Sequence, residues 1–238
     1  MQSIKYGVTD RVYQDNYGDH MVHIIGHKIP GNYISEKPNV IPPPISYEWP
    51  PAAMTWNSTT FSGLSYGNGT YTLTGSGQIG GDGGTLNYGY WLAFNKVVPP
   101  NLDQYMAGEI YNSDGTYPAS GSSITSISGV QIKGAYVTLQ LPIAVTLTSY
   151  TLTSLSRSSS DFWRRTPRSW IIAGSNDGST WMQVDTRTDI TYTGYNQTPA
   201  PFIVKSTTSY VYYRIVVTSI HPASDGFLSI GELRYFGY

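Results

Sequence analysis

The stretch RSSSDFWRRTPR, residues 157–168, gathers the side chains best suited to hold a polar ligand. Phe162 and Trp163 offer flat apolar faces on which the C–H face of a sugar ring can stack. Arg157, Asp161, Arg164 and Arg165 offer charged hydrogen-bonding groups for its hydroxyls, and such convergence around an aromatic platform suits a small ligand. Two other readings of the same residues stay open. The aromatics can plug the end of a domain, or Trp and Arg can be the hot spots of a protein interface. His221 and Tyr195 are candidate neighbours from other loops.

Other constellations point to less. His20, His23 and His27, with Asp19, have a metal-ligand composition. On a helix the three would share a face, but Ile24-Ile25-Gly26 does not favour one, and in a strand His20 points away from the other two. Surface or interface histidines are the default. Gly75 to Gly80 matches G-x-G-x-x-G, yet Gly81, Gly83 and Gly84 follow, so no helix can present its N-terminus to a phosphate. A flexible loop is expected there. There is no cysteine and no G-x-S-x-G, and the acidic residues are scattered. The chain is therefore not expected to be an enzyme.

Composition narrows the class further. Of 238 residues only 12% are charged while 14% are aromatic, 21 of them Tyr. A surface so neutral and Tyr-rich suits stacking on sugars or packing against other subunits. The net charge of −1 speaks against nucleic acid, which calls for a basic field. The first twenty residues hold no apolar run of signal-peptide length, and no stretch approaches the ~20 apolar residues of a membrane span. The expected location is extracellular or on a virion surface, reached without a recognisable signal peptide.

The elements that must position these groups are strands. Strand-like runs lie near 60–64, 69–75, 88–95, 135–141, 145–154, 169–174, 181–186, 201–206, 210–218 and 227–236, separated by Gly, Asn, Ser and Pro clusters. This predicts an all-β jelly-roll sandwich over residues 47–238. Residues 97–134 read as one long loop. Ser175-Asn176-Asp177-Gly178-Ser179 supplies the turn of a hairpin carrying Trp170 and Trp181 on its arms, both expected in the same core. Residues 1–46 read as an extended arm ending in the stiff Pro42-Pro43-Pro44. Its Tyr and Ile content is not that of a solvated tail, so it is expected to dock, by preference on a partner.

The wording PRSWIIAGSNDGSTWMQVDTR, residues 167–187, resembles the last third of discoidin-type domains, also called coagulation-factor C-type domains. YVTLQLP (136–142), LTSYTLTS (147–154), YYRIVVTS (212–219) and LSIGELRYFG (228–237) resemble successive strands of the same family. Met54-Thr55 and YGNGTY (66–71) resemble a variant associated with large DNA viruses. The resemblance implies a galactose-binding-like β-sandwich. It implies a non-enzymatic binding or adhesion module that recognises glycans or glycoproteins through loops at one end. Arg157 would then stand where sugar-binding relatives carry an Arg. It also implies a structural Ca²⁺, with Asn95 of WLAFNK (91–96) and Glu232 at the ligand positions. Asn95 replaces an Asp and Lys96 opposes a cation, so weak calcium binding or none is expected. The alternative role for Glu232 is a tie to Lys96 or Arg214. The alternative function is a structural component of a virus particle, capsid, spike or fibre, anchored on other virion subunits through residues 1–46.

Overall fold

The computed structural model describes residues 44–79, 88–97, 105–155 and 162–238. The arm expected over 1–46 falls outside them but for its last residues, which lead into the first strand. The three clustered histidines and the glycines beyond Ile79 also lie outside the described residues.

Thirteen strands are formed among the described residues: β1 (Tyr47–Trp49), β2 (Ser58–Phe61), β3 (Gly69–Gly75), β4 (Tyr105–Ile110), β5 (Ile124–Ile127), β6 (Val130–Lys133), β7 (Ala135–Thr153), β8 (Pro167–Ser175), β9 (Met182–Arg187), β10 (Phe202–Ile203), β11 (Ser209–Ile220), β12 (Phe227–Ile230) and β13 (Glu232–Gly237). Their pairing is antiparallel throughout. The long strand β7 joins the two layers. Its first half, Val137–Gln140, lies between β3 and β11. Its second half, Leu147–Thr153, pairs with β13 and, at Ser149 and Tyr150, with β10. Pro142, which cannot donate to a ladder, sits between the halves. Beyond β11 the first layer continues through β8 to β9, and beyond β13 the second ends at β1. The result is the all-β sandwich expected.

The core follows from the period of two. Val137, Leu139, Trp170, Ile172, Tyr213, Ile215 and Val217 point inward from one layer, and Leu147, Tyr150, Leu152, Leu233 and Tyr235 meet them from the other. Two polar tips inside this core are chained together: the Trp170 indole N–H donates to the Tyr150 hydroxyl at 2.9 Å, which in turn donates to Asp185 at 2.6 Å.

Three expectations need correction. Trp170 and Trp181 are both buried, but in different cores. Gly174 pairs with Met182, so Trp181 falls opposite Ser175, on the face of Ile171 and Ala173. There it packs with Ile127, Ala173 and Val216 in a second, outer cluster roofed by the β5–β6 hairpin. The Arg214 guanidinium lies between the rings of Tyr136 and Trp181, at 3.9 and 4.0 Å from their centres. It donates to Thr138 and Thr125 at 2.8 and 3.0 Å. Second, the expected loop 97–134 contains β4, β5 and β6, and β4 pairs with β12. Third, the strand expected at 88–95 is a 3-10 turn, Tyr90–Phe94, because a short unbroken apolar run carries no period to choose by.

Candidate functional site

Antiparallel pairing brings the start of β8 beside the ends of β9 and β11, since Pro167 faces Ile220 and Trp170 faces Arg187. Three loops therefore gather at one end of the sandwich. Backbone hydrogen bonds fasten them together. The His221 N–H donates to the Arg164 carbonyl at 3.3 Å, and the Ile190 N–H to that of Arg168 at 2.9 Å. Between them lies a cleft of about 190 Å³, lined by Trp163, Thr166, Arg168, Ile190, Tyr192 and His221 among others.

Trp163 belongs to the 3-10 turn Phe162–Arg165. Its ring meets the His221 imidazole edge-on, 5.3 Å between centres at 74°. The Arg164 guanidinium stands 5.3 Å from the same ring. Tyr192 is anchored by donating its hydroxyl to the Leu152 carbonyl at 3.0 Å, and burial pushes its phenol well above the ordinary range. The Thr166 hydroxyl is buried and has no hydrogen-bond partner among the described residues. An orphaned hydroxyl costs on the order of 1–3 kcal/mol, a cost that a ligand can offset.

The structure divides the residues singled out in the sequence. Trp163 lines the cleft, with Arg164 beside it. Phe162 and Arg165 instead hold the turn in place. The Arg165 guanidinium lies 4.0 Å from the Phe162 ring and 5.1 Å from that of Phe227, and its Nε donates to Asp225 at 2.9 Å. Burial alone would raise the Asp225 carboxyl, but the Arg165 guanidinium outweighs it and holds the group below the usual carboxylate range. Arg157 and Asp161 lie outside the described residues. His221 is a neighbour of Trp163, as its candidacy required, while Tyr195 stands exposed on the β9–β10 loop. The same loop contributes Ile190 and Tyr192, which no motif marked.

The residues assigned to calcium by resemblance are otherwise engaged. Glu232 is buried, and its Oε1 accepts the Lys96 backbone N–H at 3.1 Å. Asn95 turns its Oδ1 to the Val97 N–H at 3.0 Å. The Lys96 ammonium donates to the Pro51 carbonyl at 3.1 Å and pairs with Glu48 at 2.9 Å. Arg234 lies 3.5 Å from Glu232. Two acids thus face two internal cations, and no cluster of three acidic or histidine ligands occurs among the described residues. A calcium ion needs six or more oxygens, so this donor set does not fit it. Burial pushes the Glu232 carboxyl up to about 8 against the opposing pull of Arg234 and the Lys96 N–H. The tie to Lys96 runs through the backbone. Arg214 is not its partner.

No family model and no curated protein matches the chain. Solved structures do resemble it. A fragment of a Bacteroides thetaiotaomicron protein assigned as a chitobiase is 17% identical, covering 70% of this chain and 88% of that one, with a TM-score of 0.50. An F5/8 type C domain from Bacteroides fragilis is 14% identical over 76% of this chain and 96% of that one, at 0.48. A family 32 carbohydrate-binding module of Clostridium perfringens, solved with galactose, is 16% identical over 70% and 93%, at 0.43. At such identities the likeness is one of fold, that of the discoidin-type, galactose-binding-like sandwich. The virus-particle alternative finds no support in these comparisons. Among the described residues no helix is long and apolar enough to cross a membrane.

Proposed function

We propose that this galactose-binding-like sandwich is a non-catalytic carbohydrate-binding module, taking a single sugar residue in the cleft beside Trp163. The observation that carries the proposal is the construction of that cleft. A tryptophan held edge-on by His221 forms one wall, and the lining includes Thr166, whose buried hydroxyl has no partner among the described residues. A sugar ring presents what both groups want, an apolar C–H face for the indole and hydroxyls for the threonine. At about 190 Å³ the cleft falls below the ~300 Å³ at which pockets for drug-sized ligands begin, so it suits one ring at the end of a chain. Rigid strands supply the base, and three cross-bonded loops supply the walls, so little ordering is left for the ligand to impose.

The test is a glycan-array screen of the full chain, followed by titration calorimetry on the best ligand with Trp163→Ala. Loss of a central aromatic contact is expected to weaken binding by tenfold or more while the variant still melts cooperatively, the behaviour of an interface hot spot. Unchanged affinity would move the binding site elsewhere.

A further inference from the structure

We infer that the cleft is built for an acidic sugar, a pyranose whose carboxylate pairs with Arg168 while its ring stacks at Trp163. This rests on the proposed carbohydrate-binding role and narrows its ligand class. Among the described residues no acidic side chain lines the cleft, whereas Arg168 does, and Arg164 adds a further positive charge beside Trp163. Hydroxyls alone would not call for that excess.

Arg168 is the group that decides. Its guanidinium makes one side-chain contact among the described residues, from Nη2 to Asp189 Oδ1 at 2.7 Å. A guanidinium has five donors arranged in a fork, so one such contact leaves most of it unused. The Asp189 side chain is 74% exposed, against 36% for Arg168. An ion pair so open to water contributes little, so an arriving carboxylate displaces it at small cost. Asp189 itself is fixed by its backbone, whose N–H donates to the Ser169 hydroxyl at 3.1 Å. The loop therefore keeps its course when the carboxylate of Asp189 lets go. A bidentate carboxylate in the cleft, more sheltered than Asp189, makes the stronger partner.

The experiment is calorimetry on the full chain with a matched pair, a galacturonic acid oligosaccharide and its carboxyl-reduced, neutral counterpart. The acid should bind at least tenfold tighter, and the difference should shrink at high salt. Arg168→Gln should erase that preference, the acid's affinity falling to that of the neutral sugar. Asp189→Asn, which removes the competing carboxylate, should strengthen the acid several-fold. If both sugars bind equally and Trp163→Ala weakens both, carbohydrate binding stands and the acidic preference is overturned. If neither they nor any arrayed glycan binds, the carbohydrate reading itself fails.

Discussion

Replacing Glu232 by Gln should make the protein more stable in alkali, not less. The side chain is buried, and Gln preserves the acceptor that takes the Lys96 N–H. What it removes is the proton equilibrium. An ordinary glutamate near 4.5 that is pushed up to about 8 prefers to fold neutral. At about 1.4 kcal/mol per pH unit the gap corresponds to roughly 5 kcal/mol, best taken as a range of ~2–5 kcal/mol. The sign follows from proton linkage. Between about pH 4.5 and pH 8 the unfolded chain has released this proton while the folded one keeps it, so stability falls as pH rises, and the fall levels off above about pH 8. The neighbouring Arg234 and Lys96 pull the other way, and burial wins. Urea melts followed by tryptophan fluorescence at pH 5, 6.5 and 8.5 read this out. The wild-type curve should drop against that of the Gln variant by a few kcal/mol over this span. Subtraction of the variant removes every pH effect that the two proteins share. Parallel curves, or a wild type that gains on the variant with rising pH, would refute the reasoning and show an ionised Glu232 held by its two cations.

Trp181→Ala should cost about 3–5 kcal/mol in denaturant melts, the usual loss for a deleted buried aromatic, and it also strips one face from the Arg214 guanidinium; a loss under ~1 kcal/mol would show that the outer cluster contributes little. Thermal melts in calcium and in chelator should coincide. A rise of several degrees in calcium would mean that the unpartnered Oε2 of Glu232 and nearby carbonyls suffice for a cation.

The strand that alternates cleanly, β3, was legible, because a half-buried strand writes its period into the chain. What failed to show was what depends on register. Nothing in the residues says that Trp181 faces Ala173 and not Trp170. That is settled by Gly174 pairing with Met182 and by the irregularity between Ile172 and Ala173. The segments β5 and β6 have only four residues each, too few to outweigh the Gly and Ser around them. At the site, the cluster of Trp and Arg at 162–165 drew attention by composition alone. Composition could not separate Trp163, which lines the cleft, from Arg165, whose carboxylate partner lies at Asp225 in another loop. Ile190 and Tyr192 arrive from a third loop with no distinguishing neighbour in sequence, placed only by where β9 ends.

Tyr47 and Gly237 are cross-strand partners at the outer edge of the second layer, and β13 runs from there toward Glu232, opposite Thr153. The cleft lies toward that far end, where Tyr192 holds the Leu152 carbonyl. The two points of attachment therefore respond differently to force. Tension between the two flanking ends would peel β1 from β13 one hydrogen bond at a time, like a zipper. Tension between Tyr47 and a ligand gripped in the cleft would run along the strands and load many bonds together. A ligand held in the cleft as proposed would thus load the sandwich in its mechanically strong direction.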